Sequence, residues 1–429
     1  MNQYQLQVLA NQLRVAAIPM RGVKSIAVLA LIKAGTRFEA PKTNGISHFL
    51  EHLVFKGTKK YPTALALSSA VDAVGAVFNA FTAKDHTGFY VKAAADQLEL
   101  ALDIVSQLVF KSLLPSKALE VERGVILEEI RMYEDQPMAK IKRDFESLLY
   151  SNTPLGWATI GKPANIKSLS KKAFVDYQNK FYNPKRIVVG VAGAEKIVKS
   201  QKAKVMLEQY FGQSPEGFSE TIVEEKFNFH QEKPTLKITQ KKVEQAHLCL
   251  GVRTYPRGDK RRYALAAMAG LLGGGMSSRL FTEIREKRGL AYYVSAGVQA
   301  YTDNGYLVMQ AGTESKNVAG VVKLTLEEFI KIKEGQFKNQ ELAKAKEYLK
   351  GHFILSLEDS QSVADLYAEN LLLEEEVRKP EEIIREINKV TKKEVQVVAK
   401  EVFVDKGLNL ALISPKIETG KLEKALKFC

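Results

Sequence analysis

Three features of the 429-residue chain predict an α+β protein built from two homologous halves. Strand-like segments alternate with helical ones, and each half closes on a long helical stretch. A weak repeat recurs at nearly one offset: residues 29–35 (LALIKAG) are paralleled by 248–254 (LCLGVRT), 219 positions on, and 88–93 (GFYVKA) by 305–310 (GYLVMQ), 217 positions on. Near mid-chain, between 213 and 235, periodicity fades into QSPEG and an acidic stretch ending at Pro234. Such a break marks a domain boundary, and at about 150 residues per domain the length implies two or three domains. The expected organisation is a first domain over 1–215, a linker over 216–235 and a second domain over 236–429.

In chain order, 4–8 and 13–18 alternate as strands do, with a turn at 10–12 between them. Residues 26–32 (IAVLALI) read as a strand buried on both faces. A loop over 35–45 leads into a helical pattern from Ile46 to Phe55, and further helices are predicted over 62–74, 95–112 and 116–134. Residues 187–192 (IVVGVA) form another interior strand.

Composition narrows the class. With 45% hydrophobic and 26% charged residues, the chain can bury a large core. Gly 28, Pro 13 and Cys 2 exclude collagen-like, disordered and disulfide-scaffold proteins. The apolar stretch 26–32 falls far short of the roughly 18 residues a membrane span needs. Residues 1–14 carry no signal-peptide pattern, so the chain is expected to begin directly in its fold and to reside in the cytoplasm. Cys249 and Cys429, 180 positions apart, fit a reducing compartment. The net charge of +14 is spread thinly: lysines pair at 171–172, 241–242 and 392–393, with 259–262 the nearest to a patch. This reads as a solvated surface, with neither nucleic acid nor membrane as a partner.

The chemistry concentrates in residues 48–52, HFLEH. On a helix His48 and His52 are i and i+4, so both imidazoles leave one face about 6 Å apart, a spacing suited to two ligands of one tetrahedral zinc. Glu51 reaches the same region without displacing either ligand. With six histidines in the chain, His-x-x-Glu-His would arise by chance about 0.01 times, which marks an inverted-motif zinc hydrolase. A third ligand is sought in the run from Glu122 to Arg131 (ERGVILEEIR). Glu122 and Glu129 share a helical face, seven residues apart, whereas Glu128 is rotated away. One of the pair can ligate and the other can orient a ligand, and periodicity leaves open which does which.

Residues 48–58 (HFLEHLVFKGT), followed by Glu129 with Glu122 seven before it, resemble the M16 metallopeptidases, the family of pitrilysin and the mitochondrial processing peptidase. The resemblance extends over the chain: residues 79–82 look like the family's substrate-pairing edge strand, and 272–294 (LGGGMSSRLFTEIREKRGLAYYV) like a signature of its short-chain, processing-peptidase-like subgroup. It implies two α/β-sandwich domains of the M16 type in tandem. His48, His52 and Glu129 would hold one Zn²⁺ per chain, with Glu51 as general base and Glu122 as supporting carboxylate. Asn79, Ala80, Phe81 and Thr82 would carry the substrate strand. Arg285 and Tyr292 match an arginine–tyrosine pair seven apart that can donate hydrogen bonds to a substrate carbonyl. Arg288, close by, lacks that spacing. The glycines 273–275 are not followed by the Lys-Ser/Thr of a phosphate loop, so they read as a turn. His86, His230, His247 and His352 have no ligand-like spacing and, with Trp157, are expected to be structural. Where the first half has its histidines the second has Ala266, Ala267 and Met268, so only the first half is expected to bind zinc.

The implied activity is endopeptidase cleavage of peptides or unfolded polypeptide segments inside a chamber formed by two chains. Zinc would come from one chain and the Arg/Tyr pair from the other. Both sets occur here, so a homodimer is the expected assembly. The rival is an inactive or partner-dependent subunit with a structural or substrate-binding role in a heterodimer, which the intact motif disfavours.

Overall fold

The computed structural model describes residues 4–213, 222, 224–374, 376–416 and 419–428. Much of the predicted linker, 216–221 and 223, lies outside the described residues, and 224–234 contains neither helix nor strand. The chain divides into two compact units. The first comprises Met1–Ile130, Ala158–Glu225 and Ile354–Arg378; the second comprises Arg131–Trp157, Lys226–Phe353 and Lys379–Cys429.

The first unit holds a six-stranded sheet of β1 (Gln5–Val8), β2 (Arg14–Met20), β3 (Ser25–Ile32), β4 (Val77–Thr82), β5 (Thr87–Ala94) and β6 (Ile187–Ala194). Their spatial order is β1-β2-β6-β3-β5-β4, with β2 and β6 parallel and the other pairs antiparallel. In β3 every residue after Ser25 is buried, as a strand covered on both faces requires. The segment β4 ends the sheet, so one of its edges pairs with no other strand among the described residues.

The second unit holds β7 (Thr235–Gln240), β8 (Ala246–Thr254), β9 (Ala291–Ala300), β10 (Gly305–Thr313) and β11 (Asn409–Ser414), in the order β7-β11-β8-β10-β9. Among the described residues its one parallel pair is β7–β11. Strand for strand this repeats the order β2-β6-β3-β5-β4, so the duplication read from two short segments extends through the sheets. Both units are α+β.

The units are not the contiguous spans 1–215 and 236–429 expected from the sequence. The helix Ser360–Leu373 packs in the first unit, where Val363, Ala364, Tyr367, Ala368 and Leu371 meet Ala16, Ile18, Leu29 and Val188. A Cβ on Gly190 of β6 would lie 2.7 Å from the carbonyl oxygen of Ala364, so the close approach of this helix requires glycine there. Arg14 donates to the Leu371 carbonyl at 2.8 Å. Reciprocally, the helix Pro137–Leu149 packs in the second unit, with Ile141, Phe145 and Leu149 against Cys249, Val308, Ala411 and Ile413. An apolar helix face specifies burial against a sheet and is silent on which of two similar sheets, so the exchange left no mark in the hydrophobic pattern.

Candidate metal centre

The helix Ile46–Val54 follows β3. It buries Ile46, Phe49, Leu50, Leu53 and Val54 and turns His48, Glu51 and His52 to its other side. Its start is fixed by Glu39, seven positions ahead of the first helical residue. Glu39 Oε2 accepts from Asn44 Nδ2 at 2.9 Å and from Gly45 N–H at 2.8 Å; Oε1 accepts from Ser47 N–H at 3.0 Å and Ser47 Oγ at 2.6 Å. A carboxylate that satisfies otherwise orphan helix N–H groups acts as a cap and complements the helix dipole. Burial pushes the Glu39 carboxyl pKa up, and the donors from Ser47, Gly45 and Asn44 oppose that rise.

The same segment grips the turn between β4 and β5. Thr36 N–H donates to the Ala83 carbonyl at 3.2 Å and Arg37 N–H to the Lys84 carbonyl at 3.0 Å. Arg37 Nη1 forms a buried ion pair with Asp85 Oδ1 at 2.5 Å. A Cβ on Gly35 would meet the Ala83 carbonyl oxygen at 2.5 Å, so this packing excludes a side chain. One stretch of five residues thus ties the histidine helix to the edge-strand hairpin.

The second contributor is the helix Ser116–Asp135, whose buried stripe runs Leu119, Glu122, Ile126, Ile130. Glu129 projects beside that stripe toward the histidines, and Glu128 is exposed. Ligand atoms of His48, His52 and Glu129 all lie within 4.8 Å of one another. His48 Nε2 is 3.7 Å from Glu129 Oε1, and His52 Nε2 is 3.6 Å from Glu129 Oε2. These separations exceed a hydrogen bond, but they match donors around one tetrahedral ion, which for bonds of 2.0–2.1 Å stand about 3.4 Å apart. Burial, with His52 adding to it, pushes the His48 imidazole pKa down to about 3, keeping it neutral and competent as a ligand.

Glu122 takes a different position. Its Oε2 accepts from His52 Nδ1 at 3.2 Å, and its Oε1 pairs with Lys56 Nζ at 2.7 Å. A carboxylate on the far nitrogen of a ligating imidazole fixes its tautomer and ring orientation. The geometry therefore separates two glutamates that spacing could not. Glu51 interacts electrostatically with His52 and Glu129; its Oε2 accepts from Thr82 Oγ1 at 2.6 Å, and burial pushes its carboxyl pKa up while the Thr82 bond opposes this. Asn79, Ala80, Phe81 and Thr82 all lie on the edge strand β4.

In the second unit, Arg285 is the penultimate residue of a stretch of π-helix, Phe281–Glu286, and Tyr292 is the second residue of β9. The Arg285 guanidinium lies 5.7 Å from the centre of the Tyr292 ring and 4.8 Å from that of Phe281. Tyr292 is 73% exposed, and with Arg285 it borders an open hollow of about 440 Å³. Glu39 and Lys56 escaped the sequence reading. Lys56 had a usable signal, being four residues after His52, whereas nothing local pointed to Glu39.

Two imidazoles one turn apart, closed by a carboxylate from a second helix, form a donor set that could hold a metal ion and whose chemistry suits zinc. Family comparison agrees with this. The model described as insulinase (peptidase family M16) matches residues 14–163, and the one described as the peptidase M16 inactive domain matches 168–349. A Bacillus subtilis protein described as an uncharacterized zinc protease is 36% identical over 395 residues, 92% of this chain and 94% of that protein. One from Mycobacterium tuberculosis, described in the same words, is 32% identical over 422 residues, 98% and 95% of the two chains. The crystal structure of a protease from Helicobacter pylori superposes with a TM-score of 0.90 at 26% identity, covering 97% of this chain and all of that one. The chain belongs to the M16 peptidase family. Its two M16 domains stand in tandem, and no helix among the described residues is long and apolar enough to cross a membrane.

Proposed function

We propose that the protein is a zinc-dependent endopeptidase of the cytoplasm that hydrolyses peptides or unfolded polypeptide segments within a chamber closed by a second copy of the chain. The observation that carries this reading is the convergence of His48, His52 and Glu129 beside Glu51. His48 Nε2, His52 Nε2 and one oxygen of Glu129 would hold the ion, with Glu122 orienting His52. Zinc, when bound there, supplies Lewis-acid polarisation of the scissile carbonyl and lowers the pKa of a water toward neutrality.

The remaining work falls to side chains and backbone. A substrate in extended form pairs with the free edge of β4, which aligns it by main-chain hydrogen bonds. Glu51 Oε2 is engaged by Thr82, so Oε1 takes the proton from the attacking water and delivers it to the leaving amine. Arg285 and Tyr292, contributed by the partner copy, donate hydrogen bonds to the carbonyl oxygen as negative charge develops on it. Both sets of residues on one chain make a homodimer self-sufficient, and a two-fold pair gives two equivalent sites.

The test is cleavage of an unstructured peptide of about 20 residues by the zinc-loaded wild type and by Glu51→Gln, purified identically. Internal cleavage by the wild type alone supports the reading. Equal cleavage by both assigns the activity to another site. No cleavage by either makes the chain an inactive or partner-dependent subunit.

A further inference from the structure

The geometry points to Thr82 as a positioning residue for Glu51, acting through its hydroxyl rather than through the strand that carries it. The inference rests on the peptidase reading above for its kinetic consequence, but its structural content can be tested without it.

Thr82 is the last residue of β4 and pairs with Thr87 across the hairpin. Its Oγ1 donates to Glu51 Oε2 at 2.6 Å, across 31 residues of sequence. Both ends of this bond are anchored. The Thr82 end is held by the turn 83–86, gripped by Thr36 and Arg37 through Ala83, Lys84 and Asp85. The Glu51 end is held by the histidine helix, capped by Glu39. The aromatic contact of Phe55 with Phe78, centroids 5.4 Å apart, packs the strand against the end of that helix. A glutamate side chain has three rotatable bonds; a hydroxyl fixed from outside restrains them through one oxygen and leaves the other outside that bond. Pre-orientation of this kind is worth large factors, because a misplacement of about 1 Å costs on the order of 100-fold in rate.

The alternative role for Thr82, as part of the peptide-pairing strand, operates through its backbone. Valine has the shape and the strand preference of threonine without the hydroxyl, so Thr82→Val separates the two. We expect Thr82→Val to lower kcat about 10- to 100-fold with KM changed less than about twofold and zinc content unchanged. Thr82→Ser should restore kcat to within a few-fold of wild type. Loss in KM rather than kcat, or equal loss in the valine and serine variants, overturns the inference.

Crystal structures of wild type and Thr82→Val supply a readout independent of activity. The inference requires the Glu51 carboxylate to be singly oriented in wild type and displaced or multiply oriented in the variant. An unchanged Glu51 rotamer in Thr82→Val overturns it even if the protein cleaves nothing. A wild type without activity and with a displaced Glu51 in the variant removes the peptidase reading and leaves the positioning intact.

Discussion

After β3 the first unit places a helix that turns two imidazoles and a carboxylate out of its core; after β8 the second places Arg262–Gly273, which turns Ala264, Leu265, Ala267, Met268 and Leu271 into its own. The sheets around them have one strand order. The difference teaches that the candidate ligands are an addition to a scaffold that does not need them, since the second unit buries alanine and methionine at the corresponding helix. The second unit places its exposed polar pair elsewhere, on the π-helical stretch and β9, where Arg285 stacks near Tyr292. A π-helical stretch at a candidate substrate contact fits the general placement of such irregularities at functional sites.

Four experiments sharpen that contrast. The largest effect belongs to the first unit alone: His48→Ala should drop bound zinc, measured by elemental analysis, from one per chain to none. Stripping zinc from the wild type with a chelator should lower its melting temperature in a zinc-concentration-dependent way. One ion remaining in His48→Ala would place a metal outside the cluster and break the comparison.

Next comes mixing. If the two units of different copies complete one site, His48→Ala and Arg285→Ala should each be impaired alone. Co-refolded together in equal amounts, they should recover about a quarter of wild-type activity, because half of random two-fold pairs contain one intact site of two. No recovery would mean that Arg285 serves its own chain.

The smallest effect tests the division between the two glutamates. Glu122→Gln should weaken zinc about 10- to 100-fold in a competition titration, as loss of an orienting partner does. Glu129→Gln should weaken it further, since a ligand is removed. Equal losses would erase the distinction drawn from the His52 Nδ1 contact.

The legible parts of the molecule were those encoded at short range. His48, Glu51 and His52 are one turn of helix, and Glu122 and Glu129 are two, so periodicity alone groups each set on one face. The ambiguity between those glutamates is a question of distance to an imidazole 70 residues away, which no local pattern holds. Thr82 was placed on the right strand but its bond to Glu51 was invisible for the same reason. Glu39 caps a helix from beyond the usual capping positions, where capping preferences carry no signal. The exchanged helices Pro137–Leu149 and Ser360–Leu373 show an ordinary apolar stripe, and burial is all such a stripe can state.

Those exchanged helices impose a timetable on biosynthesis. All six strands of the first sheet have been made once Ala194 emerges, yet the helix that covers β2, β3 and β6 ends at Leu373, about 180 residues later. At translation rates of 5–20 residues per second the sheet waits about 10–35 s with an apolar face in water. Through that interval the nascent chain presents a surface suited to chaperone capture or to mispairing with a neighbouring nascent copy, and the metal cluster, though its residues have all been synthesised by position 129, rests on a half-finished foundation.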